Sequence, residues 1–464
     1  MSTFESSRRH FLKVLAGAGA TLAFAGDKAT SATSRPAEPQ RAPWPFSAAP
    51  LKTVRVGFIG VGARGSGHVE QMKTLEGVEV VAIADNHEPT LKRVCANAAK
   101  GGDHAAHGAR PPAAYGNGDE DYKRMLQRDD IDIVVIATPW EWHTRMCVDA
   151  MNAGKHAFTE VPAGITLDEC WQLVETSEKT RKHCMMMENC CYNRQELFCL
   201  HLCRLGLFGE LLHGEAAYLH ELRGQMHELP HGTGSWRTYH YARRNGNLYP
   251  THGLGPIAQY MGINRSDRFD YLSSMASPAL GRAAYAKAHF PPDHQWNKIQ
   301  KWNCGDLVTT IIKTALGRTI MVQWNETTPR PYSRLNLIEG TKGVFADYPP
   351  RLALEGVTPA THEWTEGEKL EAIFQKYEHP LWKKMGELAA KHGGHGGMDW
   401  LMLWRMVCCL RNGEPLDQDV YDAAAWSAIG PLSEKSVASR SQSVDVPDFT
   451  RGRWKTRQPL GVIS

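Results

Sequence analysis

The stretch GFIGVGARGSGHVE, Gly57 to Glu70, decides the fold of this chain. It continues an apolar run that predicts a strand, and it carries the spacing G-x-G-x-x-G at Gly60, Gly62 and Gly65. Glycine at these positions permits a tight turn and a close approach of the backbone to a pyrophosphate, which also gains from the N-terminus of the following helix. The stretch therefore predicts the first strand-to-helix turn of a dinucleotide-binding domain, although a glycine turn of purely structural use is the alternative.

An acidic residue stands where such a domain needs one. Asp85 follows Gly65 by about 20 residues, at the end of the next predicted strand. Its carboxylate would accept a hydrogen bond from a ribose 2′-hydroxyl and repel a 2′-phosphate, which favours NAD over NADP. Arg64, beside the glycines, weakens this preference because it offers a cation to a phosphate.

Strand and helix patterns alternate after Leu51, which is typical of parallel βαβ units. The strand runs are apolar on both faces, as buried parallel strands are. The predicted elements are the strands VRVGFIG, VEVVAIAD, IDIVVIAT, KHAFTE and KHCMMMEN, with helices over 66–75, 88–100, up to 130, from 143 and over 167–180. A Gly- and Ala-rich stretch over 101–118 is predicted to be a loop insertion.

The second half of the chain changes character. Its strands are longer and alternate more, and turn signals within them predict hairpins of an antiparallel sheet, with helices over 381–391, 399–412 and 419–433. The predicted fold class is α/β: an N-terminal Rossmann domain over 51–190, then an α+β domain with a largely antiparallel open sheet over 191–464. The latter is the predicted substrate domain.

The N-terminus has the pattern of an export signal. The run SRRHFLK, Ser7 to Lys13, pairs two arginines ahead of a mild apolar stretch that is too short for a membrane span, with a cleavage site after Ala25. This predicts a twin-arginine signal with the start of a linker over 1–32, further linker over 33–50, export by the twin-arginine machinery and a periplasmic location. A disordered basic N-terminus is the alternative. Because that pathway carries folded proteins, NAD would leave the cytoplasm already bound, and the reaction would have to restore it in each cycle.

Composition narrows the class of ligand. The chain has 464 residues, a formal net charge of +3 and no long basic block, so a small molecule is favoured over nucleic acid as a partner. Eleven cysteines need no pairing if folding occurs in a reducing compartment. Cys199 and Cys203 could be weak ligands on one helix, but buried thiols are the favoured interpretation, and we predict no metal site.

Polar residues at the predicted strand ends are the first candidates for a site. They stand in TPWEWH (Trp140, His143), TEVP (Glu160) and ENCCYN (Asn189). Ligands of doubly wound sheets lie beyond the carboxyl ends of the strands. Each residue alone could equally pack or cap, but three polar strand ends beside a nucleotide site favour function.

Two segments of the second half carry the densest polar and aromatic chemistry. They are GTGSWRTYHYARRNGNLYPTHGLGP, residues 232–256, and NETTPRPYSR, residues 325–334. Arg237, Tyr249 and His252 in the first can supply hydrogen-bond donors and general acid or base groups. A surface loop with a satisfied histidine is the alternative.

The order of these motifs resembles a known family. The leader, GVGARG, IADN, TPWEWH, EVPAG, GSWRTYHY, NLYPTHGLGP, PYSR and HGGMD are similar to the NAD-dependent α-N-acetylgalactosaminidases, glycoside hydrolases on the fold of glucose-fructose oxidoreductase-like dehydrogenases. Dehydrogenases of that superfamily carry a catalytic lysine in EKP. This chain has Glu160, Val161 and Pro162 there, which agrees with the glycosidase branch.

The resemblance implies roles for individual residues. The implied NAD contacts are Gly60, Gly62, Ala63, Arg64, Gly65, Asp85, Trp140, Glu141, Trp142, His143, Glu160, Val161, Asn189 and Tyr249. The implied sugar site consists of Tyr218, Arg237, Tyr249, Pro250, Thr251, His252 and Tyr332, with Tyr192 as a further candidate.

The resemblance also implies an unusual mechanism and a substrate, terminal α-linked N-acetylgalactosamine on a glycan. Oxidation at C3 of the sugar acidifies the C2 proton, the aglycone leaves by elimination, water adds, and reduction restores both sugar and NAD, which stays tightly bound. We expect His252 and Tyr249 to move the protons, and Glu160 and Tyr332 to orient the sugar or assist. The alternatives are a periplasmic NAD(P)-dependent sugar oxidoreductase and a non-catalytic sugar-binding protein that retains NAD. A homo-oligomer is possible.

Overall fold

The computed structural model of the protein describes residues 47–101, 110–359, 362–459 and 461. The predicted signal peptide, its cleavage site and the linker up to residue 46 lie outside these ranges. Among the described helices, none combines the length and apolar composition that a bilayer span requires.

The first half of the described chain forms a parallel sheet with helices between its strands. The strands are β1 Val54–Ile59, β2 Val78–Ala84, β3 Ala113–Tyr115, β4 Ile133–Ile136, β5 His156–Thr159 and β6 Cys184–Met186. The helices are α1 Ala63–Met72, α2 Glu88–Ala98, α3 Tyr122–Leu126, α4 Trp140–Asn152 and α5 Leu167–Thr180. The strand order β3-β2-β1-β4-β5-β6 reverses between β1 and β4, the point at which open α/β sheets bind ligands. The predicted Rossmann-type sheet is confirmed.

The loop insertion predicted over 101–118 is wrong in one part. Ala113–Tyr115 is an edge strand that pairs in parallel with β2. Three residues that follow Pro111 and Pro112 are too few to show a period, so no strand could be predicted there. Residues 102–109 lie outside the described ranges.

The second half forms a mixed, mostly antiparallel sheet of eight strands. They are β7 Leu211–Leu219, β8 Phe269–Ala276, β9 Val308–Thr314, β10 Thr319–Asn325, β11 Leu337–Gly340, β12 Gly343–Ala346, β13 Arg351–Leu354 and β14 Val444–Asp445. Their order is β13-β12-β11-β7-β10-β9-β8-β14, and β7 with β10 is the parallel pair. The predicted open antiparallel sheet is confirmed, including the hairpins β9-β10 and β11-β12.

Helices flank this second sheet and connect it to the first. They are α6 Arg194–Arg204, α7 Thr233–Arg243, α8 Thr251–Tyr260, α9 Gly281–His289, α10 Gly367–Tyr377, α11 Pro380–His392, α12 Met398–Asn412 and α13 Val420–Ala438. Short 3₁₀ helices occur at Asn189–Tyr192, Arg223–His227, His395–Gly397 and Arg453–Lys455.

The segment 232–256, for which a surface loop was the alternative interpretation, contains α7 and the start of α8. Its glycines lower the helix propensity, but the packing of the folded protein requires glycine within the helix. A Cβ on Gly253 would lie 2.3 Å from the backbone nitrogen of Ala217, so glycine here lets α8 lie directly against β7. This close approach fixes the position of His252 on the first turn of α8.

The two halves share contacts beyond the predicted boundary at residue 190. Helix α12 packs on α1, and α13 packs on α5 and β6. Ser427 on α13 accepts a hydrogen bond of 3.0 Å from the backbone nitrogen of Ala163, and Trp400 on α12 donates one of 2.7 Å to Thr74. C-terminal helices therefore help to hold the strand ends of the first sheet in place. All eleven cysteines are free thiols.

Candidate active site

A cleft of about 930 Å³ lies at the carboxyl ends of the parallel strands, and both halves of the chain line it. Its position is the one expected for a ligand of a doubly wound sheet. The sequence-predicted residues that line the cleft are Gly60, Gly62, Ala63, Arg64, Asp85, Trp140, Trp142, His143, Glu160, Val161, Asn189, Tyr218, Arg237, Tyr249, His252 and Tyr332. The structure thus brings most of the predicted cofactor and sugar residues into one cavity.

The three glycines of the first loop have different tasks. Gly60 has φ +79°, and a Cβ on Gly65 would lie 2.1 Å from the carbonyl oxygen of Gly60, so both are required by the turn itself. A Cβ on Gly62 would meet no atom within 4 Å, because this glycine faces open space in the cleft. Gly62 also precedes α1, whose N-terminus has no side-chain cap. An open glycine at a helix N-terminus with free backbone donors fits the pyrophosphate of NAD.

Asp85 ends the strand beside this loop and holds it. Its Oδ2 accepts a hydrogen bond of 2.7 Å from the backbone nitrogen of Val61, and Oδ1 accepts one of 2.8 Å from His87. The side chain lines the cleft, as a partner of the ribose must. Arg64 directs its guanidinium to Glu160 and Asp399, which removes the argument that this side chain serves a 2′-phosphate.

An ion network joins the two halves under the cleft. Arg64 Nε lies 2.7 Å from Glu160 Oε1, and its Nη1 lies 2.6 Å from Asp399 Oδ2. His68 Nε2 lies 2.6 Å from the same oxygen of Glu160. Burial opposes ionisation of Glu160, but the charge of Arg64 and the bond from His68 outweigh it and hold its pKa well below the usual range. The pKa of Asp399 is lowered in the same way, against burial, by His395 and Arg64. Both carboxylates are therefore anions that accept hydrogen bonds, and neither is a proton donor.

Two predicted NAD contacts are fixed by bonds to the protein. The ring nitrogens of His143 lie 2.7 Å from the carbonyl oxygen of Pro162 and 2.8 Å from that of Thr138, and burial lowers the pKa of this imidazole. The amide nitrogen of Asn189 lies 2.5 Å from Asp399 Oδ1. His143 shapes the wall, and the amide oxygen of Asn189 accepts a bond of 3.7 Å from the thiol of Cys190.

His252 is paired with a carboxylate that the sequence did not assign. Its Nδ1 lies 2.7 Å from Oε1 of Glu188, which is fully buried behind it. Burial opposes ionisation of Glu188, but the charge and hydrogen bond of His252 prevail and lower its pKa. An anionic acceptor at Nδ1 favours, in the neutral imidazole, the tautomer with hydrogen on Nδ1, so that the lone pair is on Nε2 at the other side of the ring. His252 itself lines the cleft.

Glu188, Cys190 and His252 place their ligand atoms within 4.8 Å of one another, a group that could hold a metal ion. The hydrogen bond between His252 and Glu188 already accounts for two of the three. Burial raises the pKa of the Cys190 thiol well above its usual value, which disfavours the thiolate a metal requires. We therefore interpret the group as a hydrogen-bonded pair beside a buried thiol.

Aromatic rings form one wall around His252. The ring of Tyr249 lies 4.9 Å from that of Tyr218 and 4.9 Å from the imidazole of His252, and it stacks on Trp140 at 5.7 Å. Burial raises the pKa of Tyr249 well above its usual value, although the charge of Arg237 opposes this shift. Tyr249 is thus a neutral phenol that can donate a hydrogen bond.

Arg237 lies against this wall, and buried protein groups on its other side hold its guanidinium in place. Its guanidinium carbon is 4.2 Å from the centroid of Tyr249. Its Nη2 donates a bond of 2.9 Å to buried Glu326, and Nε donates one of 2.6 Å to the hydroxyl of Tyr241, which in turn donates to Glu326. These bonds leave Nη1 for a ligand. The site therefore presents a fixed cation beside a neutral phenol and a paired imidazole.

Five predicted residues do not line the cleft. Gly65 packs on the loop, Glu141 pairs with His240 at 3.2 Å, and Pro250 and Thr251 lie at the start of α8 with Thr251 fully buried. Tyr192 lies in the core, where its hydroxyl donates a bond of 3.2 Å to Asp417. The structure thus places Tyr192 away from the sugar residues. Contacts of the other four with a ligand through their backbone stay a prediction.

The sequence also missed residues that complete the site. They are His68, Glu188, His220, Glu326 and Asp399. Asp399 belongs to the motif HGGMD and Glu188 to ENCCYN, but nothing in their spacing connects them to Arg64 or His252. Only the fold brings these partners together.

Two family models match the chain in succession. The model described as oxidoreductase family, NAD-binding Rossmann fold, matches residues 54–188. The model described as glycosyl hydrolase 109, C-terminal domain, matches residues 192–456. The NAD-binding loop and the sugar candidates thus fall in two different matched domains.

Full-length relatives carry related names. A glycosyl hydrolase family 109 protein of a Shewanella species is 56% identical over 462 residues, 98% of each chain. A protein named alpha-N-acetylgalactosaminidase from Shewanella oneidensis is 55% identical over 463 residues, again 98% of each chain.

Solved structures share the fold at lower identity. An NAD binding oxidoreductase from Klebsiella pneumoniae superposes with a TM-score of 0.66 at 15% identity, over 86% of this chain and 100% of that one. Levoglucosan dehydrogenase in complex with NADH gives a TM-score of 0.64 at 19% identity, over 85% of this chain and 100% of that one. These likenesses concern the fold, whereas the family models and the close relatives extend to function. The chain therefore belongs to glycosyl hydrolase family 109, as a glycoside hydrolase with an NAD-binding Rossmann domain.

Proposed function

We propose that this protein hydrolyses terminal α-linked N-acetylgalactosamine on glycans, with a tightly bound NAD that is restored in every cycle. The relative from Shewanella oneidensis, whose printed name is that of this activity, supports the substrate. The observation that carries the mechanism is the state of the buried carboxylates in the cleft, Glu160 and Asp399. Arg64 bonds to both of them.

These carboxylates are unsuited to the usual glycosidase mechanism. Most glycosidases require one carboxylic acid of raised pKa as a proton donor and a second carboxylate as nucleophile or base. The pKa of Glu160 is held well below its usual range against burial, chiefly by Arg64, and that of Asp399 is lowered as well. Cleavage by elimination has no such requirement, because it needs a base for a C–H proton and donors for the sugar hydroxyls.

The residues beside the glycine loop suit elimination. NAD, when bound, supplies a hydride acceptor that oxidises C3 of the sugar and is restored at the end of the cycle. We assign His252 Nε2 as the base for the C2 proton, because Glu188 at Nδ1 stabilises the imidazolium that results. Tyr249 remains protonated and donates a hydrogen bond to a sugar oxygen. Arg237, with Nη1 free of protein partners in the described chain, fixes a second sugar oxygen.

Several contacts support retention of the cofactor. Helix α7 of the second half lies over the Rossmann residue Trp140, with Trp236 at 5.3 Å and His240 at 5.0 Å between ring centroids. The ring of His231 lies 4.3 Å from that of His87, next to the strand end that carries Asp85. A nucleotide on the glycine loop would have to pass this cover to leave.

Export follows as the second part of the proposal. The leader SRRHFLK at residues 7–13 predicts the twin-arginine pathway and a periplasmic location. A cofactor that is enclosed and never consumed is compatible with that destination, since no pool of NAD would replace it there.

The test follows hydrolysis and proton exchange together. Purified protein is incubated with p-nitrophenyl α-N-acetylgalactosaminide in deuterated water, and nitrophenol release, deuterium at C2 of the released sugar and NADH absorbance are measured. The proposal predicts release with deuterium at C2 and no accumulation of NADH. Release without deuterium would indicate hydrolysis by carboxylates and overturn the mechanism. An oxidised sugar without release would indicate a sugar oxidoreductase and overturn the function.

A further inference from the structure

A second cavity of about 430 Å³ adjoins the cleft. The two cavities share three wall residues, Tyr332, His395 and Met398. The ring of Tyr332 stands at the border, 6.1 Å from Tyr218 in the cleft and 5.9 Å from Tyr348 in the second cavity. The second cavity therefore begins at Tyr332, where the cleft ends.

The walls of the second cavity are aromatic and polar, and the one arginine among them, Arg334, is paired with protein groups. Arg334 donates from Nε and Nη2 to Glu196, at 2.9 and 2.6 Å, and from Nη1 to the hydroxyl of Tyr332 at 2.8 Å. The guanidinium carbon lies 5.6 Å from the ring centroids of both Tyr332 and Tyr348. Because Glu196 neutralises the charge of this guanidinium, Arg334 does not favour an anionic ligand, and it holds the two rings in place.

Amide and carboxyl groups are left at the rim. Asn193 donates to Gln195 at 2.9 Å and to Glu196 at 2.6 Å, so the side-chain oxygen of Asn193 and the side-chain nitrogen of Gln195 have no protein partner in the described part of the chain. Asp347 uses one oxygen, which accepts a bond of 2.6 Å from the backbone of Tyr348. Burial and the charge of Glu196 raise the pKa of Asp347 to about 6, so near neutral pH its carboxyl can be anion or acid.

We infer that this second cavity binds the sugar unit that carries the leaving oxygen, a neutral hexose of an oligosaccharide. The inference rests on the proposed glycosidase function. A sugar has apolar C–H faces that pack on aromatic rings and a rim of hydroxyls that both donate and accept. Tyr348 and Tyr332 offer such rings, while Asn193, Gln195 and Asp347 offer acceptors and donors, and no uncommitted cation favours a phosphate or a carboxylate.

The test compares two substrates of the full-length protein. One is p-nitrophenyl α-N-acetylgalactosaminide, and the other is an oligosaccharide whose terminal α-N-acetylgalactosamine is linked to a neutral hexose. We expect Gln195→Ala, at the start of α6, and Tyr348→Ser each to lower the ratio of kcat/KM for the oligosaccharide to that for the nitrophenyl glycoside about tenfold. Gln375→Ala, an exposed glutamine on α10, is the matched control and should keep the wild-type ratio.

The outcomes separate the two proposals. A ratio unchanged in both variants would overturn the second cavity as a sugar site while wild-type activity upholds the function. A glycopeptide that carries α-N-acetylgalactosamine is assayed as a third substrate, and a ratio that falls for it and not for the oligosaccharide would identify a peptide occupant and also overturn the proposal. If the wild-type protein cleaves neither substrate, the proposed glycosidase function is wrong. Because Gln195→Ala replaces a partly exposed side chain with the best helix former, it keeps the proposal testable where Tyr348→Ser proves unstable.

Discussion

Nδ1 of His252 lies 2.7 Å from Oε1 of Glu188, a carboxylate with no exposed surface. The pair joins the first turn of α8, in the second half of the chain, to the end of the first sheet. It gives the imidazole a fixed orientation and tautomer before any ligand arrives. A base that is already oriented loses no free energy to reorientation during the reaction.

The first prediction concerns this pair. Glu188→Gln keeps a hydrogen-bond acceptor but removes the charge, so we expect kcat/KM for the N-acetylgalactosaminide to fall about 100-fold or more. The rate of deuterium incorporation at C2 should fall equally, because the same base, His252, acts in sugar release and in exchange of the C2 proton. Glu178→Gln, which removes a carboxylate bonded to Tyr421 outside the cleft, is the control.

A double variant distinguishes positioning from folding. If Glu188 acts only through His252, then Glu188→Gln combined with His252→Asn should be no slower than His252→Asn alone. Independent, multiplying losses in the double variant would contradict this assignment.

The second prediction separates the tasks of the glycines. Gly62→Ala puts a methyl group into open space, so the protein should fold normally but be purified with little NAD. Gly65→Ala puts a methyl group 2.1 Å from the carbonyl oxygen of Gly60 and should destabilise the fold by at least about 1–3 kcal/mol. Gly224→Ala, which also meets no atom within 4 Å and does not line the cleft, is the control.

The measurements are the NAD content per chain after denaturation and the midpoint of thermal unfolding. Retention of a full complement of NAD in Gly62→Ala, with a normal unfolding midpoint, would contradict the placement of the pyrophosphate at this loop.

Local patterns in the sequence predicted the first sheet and its loop because each signal lies within a few residues. The glycine spacing, the apolar run before it and Asp85 are all parts of one βαβ unit. The ion network under the cleft had no such signal. Arg64 and Asp399 are 335 residues apart, and a charge at either position is as compatible with a solvated surface.

The helical segment 232–256 shows that tertiary packing can override local sequence preferences. Its glycines and prolines locally favour a loop, and the helices α7 and α8 form because packing on β7 and Trp140 repays the low propensity. Tyr192 shows the same for a predicted site residue. The resemblance implied a sugar contact for it, but a turn of 3₁₀ helix directs its hydroxyl to Asp417 in the core.

The third prediction concerns the leader. Arg8→Lys with Arg9→Lys keeps the charge but removes the pair that the twin-arginine machinery reads, so the protein should remain in the cytoplasm as the uncleaved precursor. Arg41→Lys, in the linker, should be exported normally. Fractionation of cells by osmotic shock, followed by immunoblotting and assay of bound NAD, makes the comparison. Equal release of both variants would contradict export by this route.

The last prediction is a pH dependence of stability that originates in two buried histidines. Burial lowers the pKa of His183 to about 4, and burial with the charge of His183 lowers that of His156 to about 3. The backbone nitrogen of His183 donates a bond of 2.9 Å to Nδ1 of His156, which must therefore be unprotonated in the folded protein. Both folded pKa values lie below the unfolded value of about 6.5. The stabilisation is thus complete above about pH 6.5 and is lost as the pH falls towards 4 and 3, by up to about 1.4 kcal/mol per pH unit for each histidine.

His156→Asn isolates this effect, because the amide oxygen of asparagine can take the place of Nδ1 without titrating. Between pH 6.5 and 5, the free energy of unfolding in urea should fall less steeply for His156→Asn than for the wild type. His289→Asn, on the exposed face of α9, should keep the wild-type slope. Identical slopes for all three proteins would mean that His156 is not a source of the acid sensitivity.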